Sequence, residues 1–248
     1  MDLELAKKTP LSARYYTIYL IFIACIGWSL ASYDVNLLVL ALPEMSKELQ
    51  ISEKMLGILG FFVYGAQFII TLIVGYSMDK VGRKVLWMIC LCGTALFTGA
   101  TYFVENFWQL VLVRALASGL AYSELAVSIT LVNEQLPAKN RGLLYSIVQG
   151  GWPLGVFFAS AVYMAFGDLG WRVVLLLGTI PSAVVILVRV FIKESARFEH
   201  EKTAGSTESK PVREILASPL LKKRILTMSV CWISYGISYV ASNFYITW

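Results

Sequence analysis

Gly75-Tyr76-Ser77-Met78-Asp79-Lys80-Val81-Gly82-Arg83-Lys84 stands between two long apolar runs. Glycine at 75 lets a neighbour approach closely at a helix end, and glycine at 82 permits a left-handed turn. Asp79, Lys80, Arg83 and Lys84 stop the flanking helices and hold the connection in water. A short basic link of this kind joins two membrane-spanning helices on the cytoplasmic side.

The composition agrees. Of 248 residues, 58% are hydrophobic and 15% charged, and the mean hydropathy of +0.68 lies outside the range of soluble domains. Apolar runs recur at Tyr15–Leu42, Met55–Met78, Val85–Val104, Trp108–Val132, Leu143–Phe166, Val173–Ile192 and Ile225–Trp248. Each is long enough to cross ~30 Å of hydrocarbon at a rise of ~1.5 Å per residue, which predicts seven spans. The first follows Met1-Asp2-Leu3-Glu4 and is too long for a signal peptide, so it is expected to remain as an anchor.

The basic residues set the orientation. With a cytoplasmic N-terminus, Lys7, Lys8, Arg14, Lys80, Arg83, Lys84, Lys139, Arg141 and eight residues between Lys193 and Arg224 face inward, sixteen in all. Three, Lys47, Lys54 and Arg172, face outward. This asymmetry predicts a multi-pass protein of the plasma or inner membrane, and it explains a net charge of +5 without a nucleic-acid partner. Cys25, Cys90, Cys92 and Cys231 fall in expected spans and read as apolar thiols, Cys90 and Cys92 on different faces of one helix. His200 lies in a loop and no zinc-ligand spacing occurs, so neither metal nor cofactor is expected.

Charges inside the spans carry the chemistry. On the first run Gly27, Ala31, Asp34 and Ala41 share a small-residue seam, while Ser29, Ser32, Tyr33 and Asn36 form a polar stripe suited to a water-filled cavity. On the fourth run Arg114 shares a seam with Ala117, Ser118, Ala121 and Ser128. An intramembrane carboxylate or guanidinium is costly and marks function. Asp34 and Arg114 lie at matching heights, ~8–9 Å outward of the centre by helical rise, and are expected to pair. Glu124 lies deeper on the fourth run. Ser52 is a candidate N-cap for the second span, and the four glycines 57, 60, 65 and 75 there suit helix sliding. Pro153 predicts a bend in the fifth span, and Gly178 and Pro181 interrupt the sixth.

Gly75–Lys84 resembles the loop between the second and third spans of the major facilitator superfamily of transporters. Arg114-x4-Gly119, Glu124 and Glu134-x2-Pro137-x3-Arg141-Gly142 look like the fourth span and following loop of its aromatic-acid and metabolite proton symporters. Lys193-Glu194-Ser195-Ala196-Arg197 resembles the Pro-Glu-Ser-Pro-Arg signature after the sixth span of its sugar and metabolite porters, with both prolines replaced. By resemblance, Gly75, Asp79, Lys80, Gly82, Arg83, Lys84, Glu134, Arg141, Glu194 and Arg197 form a cytoplasmic gate, and Gln149 is similar to a substrate-binding glutamine of sugar porters. Trp152, with Tyr33, Asn36, Glu124 and Asn243, completes the candidate substrate contacts. The seventh run lacks the paired glutamines of hexose porters, which weighs against a sugar.

The expected fold is an all-α membrane protein: a six-helix bundle over 1–192, a cytoplasmic loop over 193–224 holding an interfacial helix at 211–224, and a seventh span over 225–248. That span would be the first helix of a second bundle that is missing, and it aligns weakly with the first through Cys25/Cys231, Ser32/Ser238 and Tyr33/Tyr239. The expected function is proton-coupled symport of a small organic acid by alternating access, with Asp34 and Arg114 as the coupling pair. The expected partners are the bilayer, the substrate, protons and a second half-transporter chain. A truncated remnant or regulatory half is the alternative, a sugar porter a further one. A cytoplasmic N-terminus argues against a seven-helix receptor, and absent catalytic motifs argue against an enzyme.

Overall fold

The computed structural model describes residues 11–136, 140–195, 198–199, 203 and 218–246, with side chains from 15 to 238 within those stretches. Among them the regular elements are helical: α1 (Leu11–Glu48), α2 (Glu53–Val81), α3 (Arg83–Ala100), α4 (Phe107–Gln135), α5 (Arg141–Gln149), α6 (Gly151–Phe166), α7 (Trp171–Leu177), α8 (Thr179–Arg189) and α9 (Pro219–Ile246). Contacts divide the chain into two compact units, Met1–Ala204 and Gly205–Trp248. The first holds six spans, with α5–α6 and α7–α8 each making one.

Six helices among the described residues are long and apolar enough to cross a bilayer. The seventh run also forms a helix, α9, with side chains described as far as Ser238. α9 also runs unbroken from Pro219 through Arg224 into the expected span, so no separate interfacial helix ends at 224. Residues 211–217 of that expectation lie outside the described residues.

Local chemistry places the helix ends. The Ser52 hydroxyl accepts from the Met55 amide at 3.4 Å and starts α2. Asn106 accepts from the Gln109 amide at 3.0 Å, and Gln109 Oε1 accepts from the Glu105 amide at 2.9 Å, a reciprocal cap that starts α4. Gly82, at φ 103°, ends α2 and lets α3 begin at once. The two interrupted spans break at Gly150 and Gly178; Pro153 and Pro181 fall in the first turns of α6 and α8, where their missing N–H groups cost no helical bond.

α1 packs chiefly on α6, and α4 on both α2 and α3. One apolar cluster, including Leu37, Met45, Leu59, Leu110 and Trp171, fills the end near the α1–α2 turn. Another, including Leu20, Leu86, Trp87, Leu131 and Ile192, fills the end near the α2–α3 turn. Phe61, Phe68, Phe157, Met164 and Phe191 point outward, as side chains facing hydrocarbon do. At the α1–α2 end the Trp171 indole N–H donates to Glu48 at 2.6 Å. Arg172 stacks over that indole at 4.2 Å, pairs with Glu48 and donates to the Val104 carbonyl at 2.6 Å.

Two expectations about small residues change. A Cβ at Gly57, Gly60, Gly65 or Gly75 would meet nothing within 4 Å, so the α2 glycines do not make its close contact. Gly119 of α4 does, against Ile70 and Ala66 of α2. The stripe on α1 faces no cavity at Ser29, Ser32 or Tyr33: these are buried where α6 presents Gly151 and Gly155 to the α1 backbone. Ser32 Oγ donates to the Trp152 carbonyl at 2.7 Å, and Ser29 Oγ to the Cys25 carbonyl at 2.9 Å. Glycine on the partner helix brings the backbones so close that hydroxyls become packing groups.

Candidate functional site

The seam on α1 and the seam on α4 meet at their charges. Arg114 Nη2 donates to Asp34 Oδ2 at 2.8 Å and Nη1 to Oδ1 at 3.4 Å, a two-pronged contact. Thr98 Oγ1 of α3 donates to Asp34 Oδ1 at 2.5 Å. Arg114 is fully buried and Asp34 5% exposed, so three helices enclose the pair. Its attraction acts in a low-dielectric interior, and losing either partner would strand the other.

A second ion pair lies further along α4. Glu124 accepts from Arg189 Nη2 of α8, and both are buried. The Arg189 guanidinium lies 4.0 Å from the Trp87 ring centroid, and Nη1 reaches the Trp87 carbonyl at 3.5 Å. Gly27 of α1 leaves the space: a Cβ there would collide with Arg189 Nη2 and Glu124 Oε1. Glu124 therefore sits in the bundle interior, against a partner that sequence reasoning left unassigned.

At the α2–α3 end, polar groups converge on one buried guanidinium. Arg83 Nη2 contacts Asp79 Oδ1 at 2.9 Å and Glu134 Oε1 at 3.4 Å, and its guanidinium lies 5.1 Å from the Phe198 ring centroid. Glu194 accepts from the Arg83 amide at 3.1 Å and the Lys84 amide at 3.0 Å, satisfying two otherwise orphaned donors in the first turn of α3. Lys84 Nζ donates to the Val190 carbonyl at 2.8 Å. Thus Asp79, Gly82, Arg83, Lys84, Glu134 and Glu194 are brought together.

Of the other expected gate residues, Lys80 and Gly75 stand apart, and Arg141 lies beside Glu134. Lys80 lies over the Tyr76 ring at 4.6 Å, Gly75 faces open space, and Arg141 donates to the Leu136 carbonyl at 3.3 Å. Arg141 also lines an open cavity of about 410 Å³ with Ile129, Thr130, Asn133 and Glu134. Arg197 lies outside the described residues. Gly82 is the tightest point of the cluster: its φ of 103° disfavours L side chains, and a Cβ would come 2.6 Å from Glu194 Oε2. Gly82→Ala is expected to cost about 1–3 kcal/mol and to lower the thermal unfolding midpoint of the detergent-solubilised chain.

Of the expected substrate contacts, Trp152 joins an aromatic cluster from three spans. Its ring centroid lies 4.9 Å from Trp28 and 5.9 Å from Tyr122, and Trp28 lies 6.3 Å from Tyr122. Tyr33 is buried beneath Gly178, Asn36 is half-buried and donates to the Ser32 carbonyl at 2.8 Å, and Gln149 is exposed beside the α5–α6 break. The Asn243 side chain lies outside the described ones.

Thr98, Arg189, Trp28 and Tyr122 were not singled out from the sequence. Arg189 carried a usable signal, being an ionisable residue within an apolar run, as Asp34 is. Thr98 carried none, because a lone threonine in an apolar helix most often bonds its own backbone, as Thr94 does to Cys90 here at 2.8 Å.

Comparison with known proteins agrees with this architecture. The model of the Major Facilitator Superfamily matches residues 19–248. The chain is 28% identical to a probable 4-methylmuconolactone transporter of Cupriavidus pinatubonensis, over 84% of this chain and 49% of that one. It is 27% identical to a cis,cis-muconate transport protein of Acinetobacter baylyi, over 80% of this chain and 49% of that one. Its fold is similar to that of the proton:xylose symporter XylE bound to 6-bromo-6-deoxy-D-glucose, with a TM-score of 0.69 at 18% identity, covering 79% of this chain and 48% of that one. The chain spans about half the length of the curated relatives it matches. With six bilayer-length helices, two buried ion pairs between them and a family match across nearly all its residues, the chain belongs to the major facilitator superfamily.

Proposed function

We propose that this chain supplies the first bundle of a secondary transporter for a small unsaturated organic acid, coupled to protons and working by alternating access. The supporting observation is the enclosed Asp34–Arg114–Thr98 cluster. While Asp34 is ionised, its charge satisfies Arg114. A proton on Asp34 removes that partner and leaves a buried cation, which a substrate carboxylate can then match. Proton and anion thereby enter together, because each lowers the cost of the other. The names of the two relatives, for muconolactone and muconate, support an unsaturated acid as cargo. The ring cluster of Trp28, Tyr122 and Trp152 offers stacking faces for such a molecule.

The cluster around Arg83 acts in this reading as a cytoplasmic gate, with the N-terminus on the same side. The pathway needs a second bundle beyond the six spans described, from further sequence or from another chain. Proteoliposomes carrying the chain, alone and with such a complement, would be given labelled cis,cis-muconate under an imposed pH gradient. Uptake driven by an acidic exterior is expected, and Asp34→Asn should abolish its response to the gradient while muconate binding persists. Gradient-driven uptake by Asp34→Asn removes the coupling role of Asp34. Competition by hexoses and none by carboxylates replaces the acid with a sugar, and no uptake in either format favours a non-transporting half.

A further inference from the structure

Arg189 is the last residue of α8, and Glu194, five positions on, accepts from the first amides of α3. The intervening chain is irregular yet tied down. The Ile192 amide donates to the Arg189 carbonyl at 3.0 Å, Lys84 Nζ bonds the Val190 carbonyl, and Gln135 Nε2 donates to the Lys193 carbonyl at 3.3 Å. α1 adds two more ties: the Tyr19 hydroxyl donates to the Val188 carbonyl at 2.6 Å, and the Lys193 amide donates to the Tyr16 hydroxyl at 3.0 Å. Those bonds lie at the partly exposed end of α8; its remaining side chains are mostly apolar, and for them a slip of one turn, ~5.4 Å, would exchange one apolar contact for another. Such a slip would carry Glu194 beyond hydrogen-bond reach of Arg83 and Lys84.

We infer that the buried Glu124–Arg189 pair is the anchor that positions Glu194 on the start of α3, and so holds the cluster around Arg83 together. A charge pair can do this where apolar contacts cannot. Sliding α8 would leave an unpaired carboxylate and an unpaired guanidinium in the interior, and would take Arg189 off the Trp87 ring. Trp87 stands on the first turns of the helix whose amides Glu194 caps, so one side chain registers α8 against both α4 and α3. Gly27 is the third component, because any side chain there would enter the pair. Glu124, Arg189 and Gly27 are positioning residues that act through Glu194, and the inference holds whether or not the chain carries a substrate.

Hydrogen exchange of the Arg83 and Lys84 amides tests it, on the chain in lipid nanodiscs. Glu194→Gln should speed both amides about tenfold or more, since each loses a charged acceptor. Glu124→Gln should speed them comparably, and Gly27→Ala should do so with one added methyl if the glutamine variant does not fold. Asp34→Asn should leave these amides unchanged. Amides in the first half of α4, at the far end of the bundle, should keep wild-type rates in the Glu194, Glu124 and Gly27 variants. If Glu194→Gln speeds the two amides while Glu124→Gln and Gly27→Ala leave them at wild-type rates, the anchor is refuted. If exchange rises equally through α4, the pair supports the fold in general and positions nothing. If Glu194→Gln has no effect, the link through Glu194 is absent and the inference falls.

Discussion

Arg114→Met should destabilise the bundle by about 3–5 kcal/mol, the cost of leaving a buried charge without its partner. Methionine fills most of the space but offers Asp34 no donor, and Thr98 alone remains to bond the carboxylate. The surroundings give little relief: Asp34 lies among Ala31, Leu37 and Leu38 of its own helix, all buried. The double variant Asp34→Asn, Arg114→Met removes the stranded charge and should recover much of the loss. Unfolding midpoints of the four proteins in detergent give the coupling through a double-mutant cycle. A double variant no more stable than Arg114→Met would show that methionine acts through packing rather than through the orphaned carboxylate.

Gly155→Val should be damaging by a different route. A Cβ at 155 would collide with the Ser29 carbonyl oxygen, and would lie 2.6 Å from Ser32 Cβ and 2.8 Å from the Tyr33 amide nitrogen. Two of these three atoms belong to the α1 backbone, so no rotamer change relieves the contact, and α6 must move away from α1. Overpacking of this kind costs about 1–3 kcal/mol, and valine here belongs at the upper end. The hydrogen bond from Ser32 to the Trp152 carbonyl would break as the helices part. Gly60→Val, where a Cβ meets open space, is the control and should leave the thermal midpoint within about 0.5 kcal/mol equivalent of wild type. Equal midpoints for the two valine variants would overturn the close α1–α6 contact.

Six spans, the Ser52 cap and the pairing of Asp34 with Arg114 could all be read before the structure. These depend on local quantities: run length against bilayer thickness, a side-chain cap within three residues, and the cost of a charge at a given depth. Asp34 and Arg114 could be matched because two opposite charges at one height in apolar helices leave each other as the cheapest partner. Glu124 and Arg189 obeyed the same rule. They went unmatched because Glu124 was read as facing substrate and Arg189 lies near a helix end, where a long basic side chain can reach water.

The faces of α1 and α2 were the poorest guide. Serines 29 and 32 made a polar stripe, and four glycines made a small one on α2, but neither pattern says which helix stands opposite. In the structure α6 brings Gly151 and Gly155 against the serines, while the α2 glycines face open space.

By itself, the sequence determined a membrane bundle of helices, the apolar runs that become its spans, and that Asp34 and Arg114 had to find partners. All of these follow from the free energy of placing single groups in hydrocarbon. Tertiary structure alone decided which helices touch, and with that the roles of Gly27, Thr98, Trp87 and Arg189. Those roles come from positions distant in the chain arriving within a few ångströms, and no local energy encodes that arrival. In Gly75–Lys84 both kinds of knowledge meet: the glycine turn and charges at 79–84 were legible at once, whereas the Glu194 cap and the burial of Arg83 awaited the packing of α8.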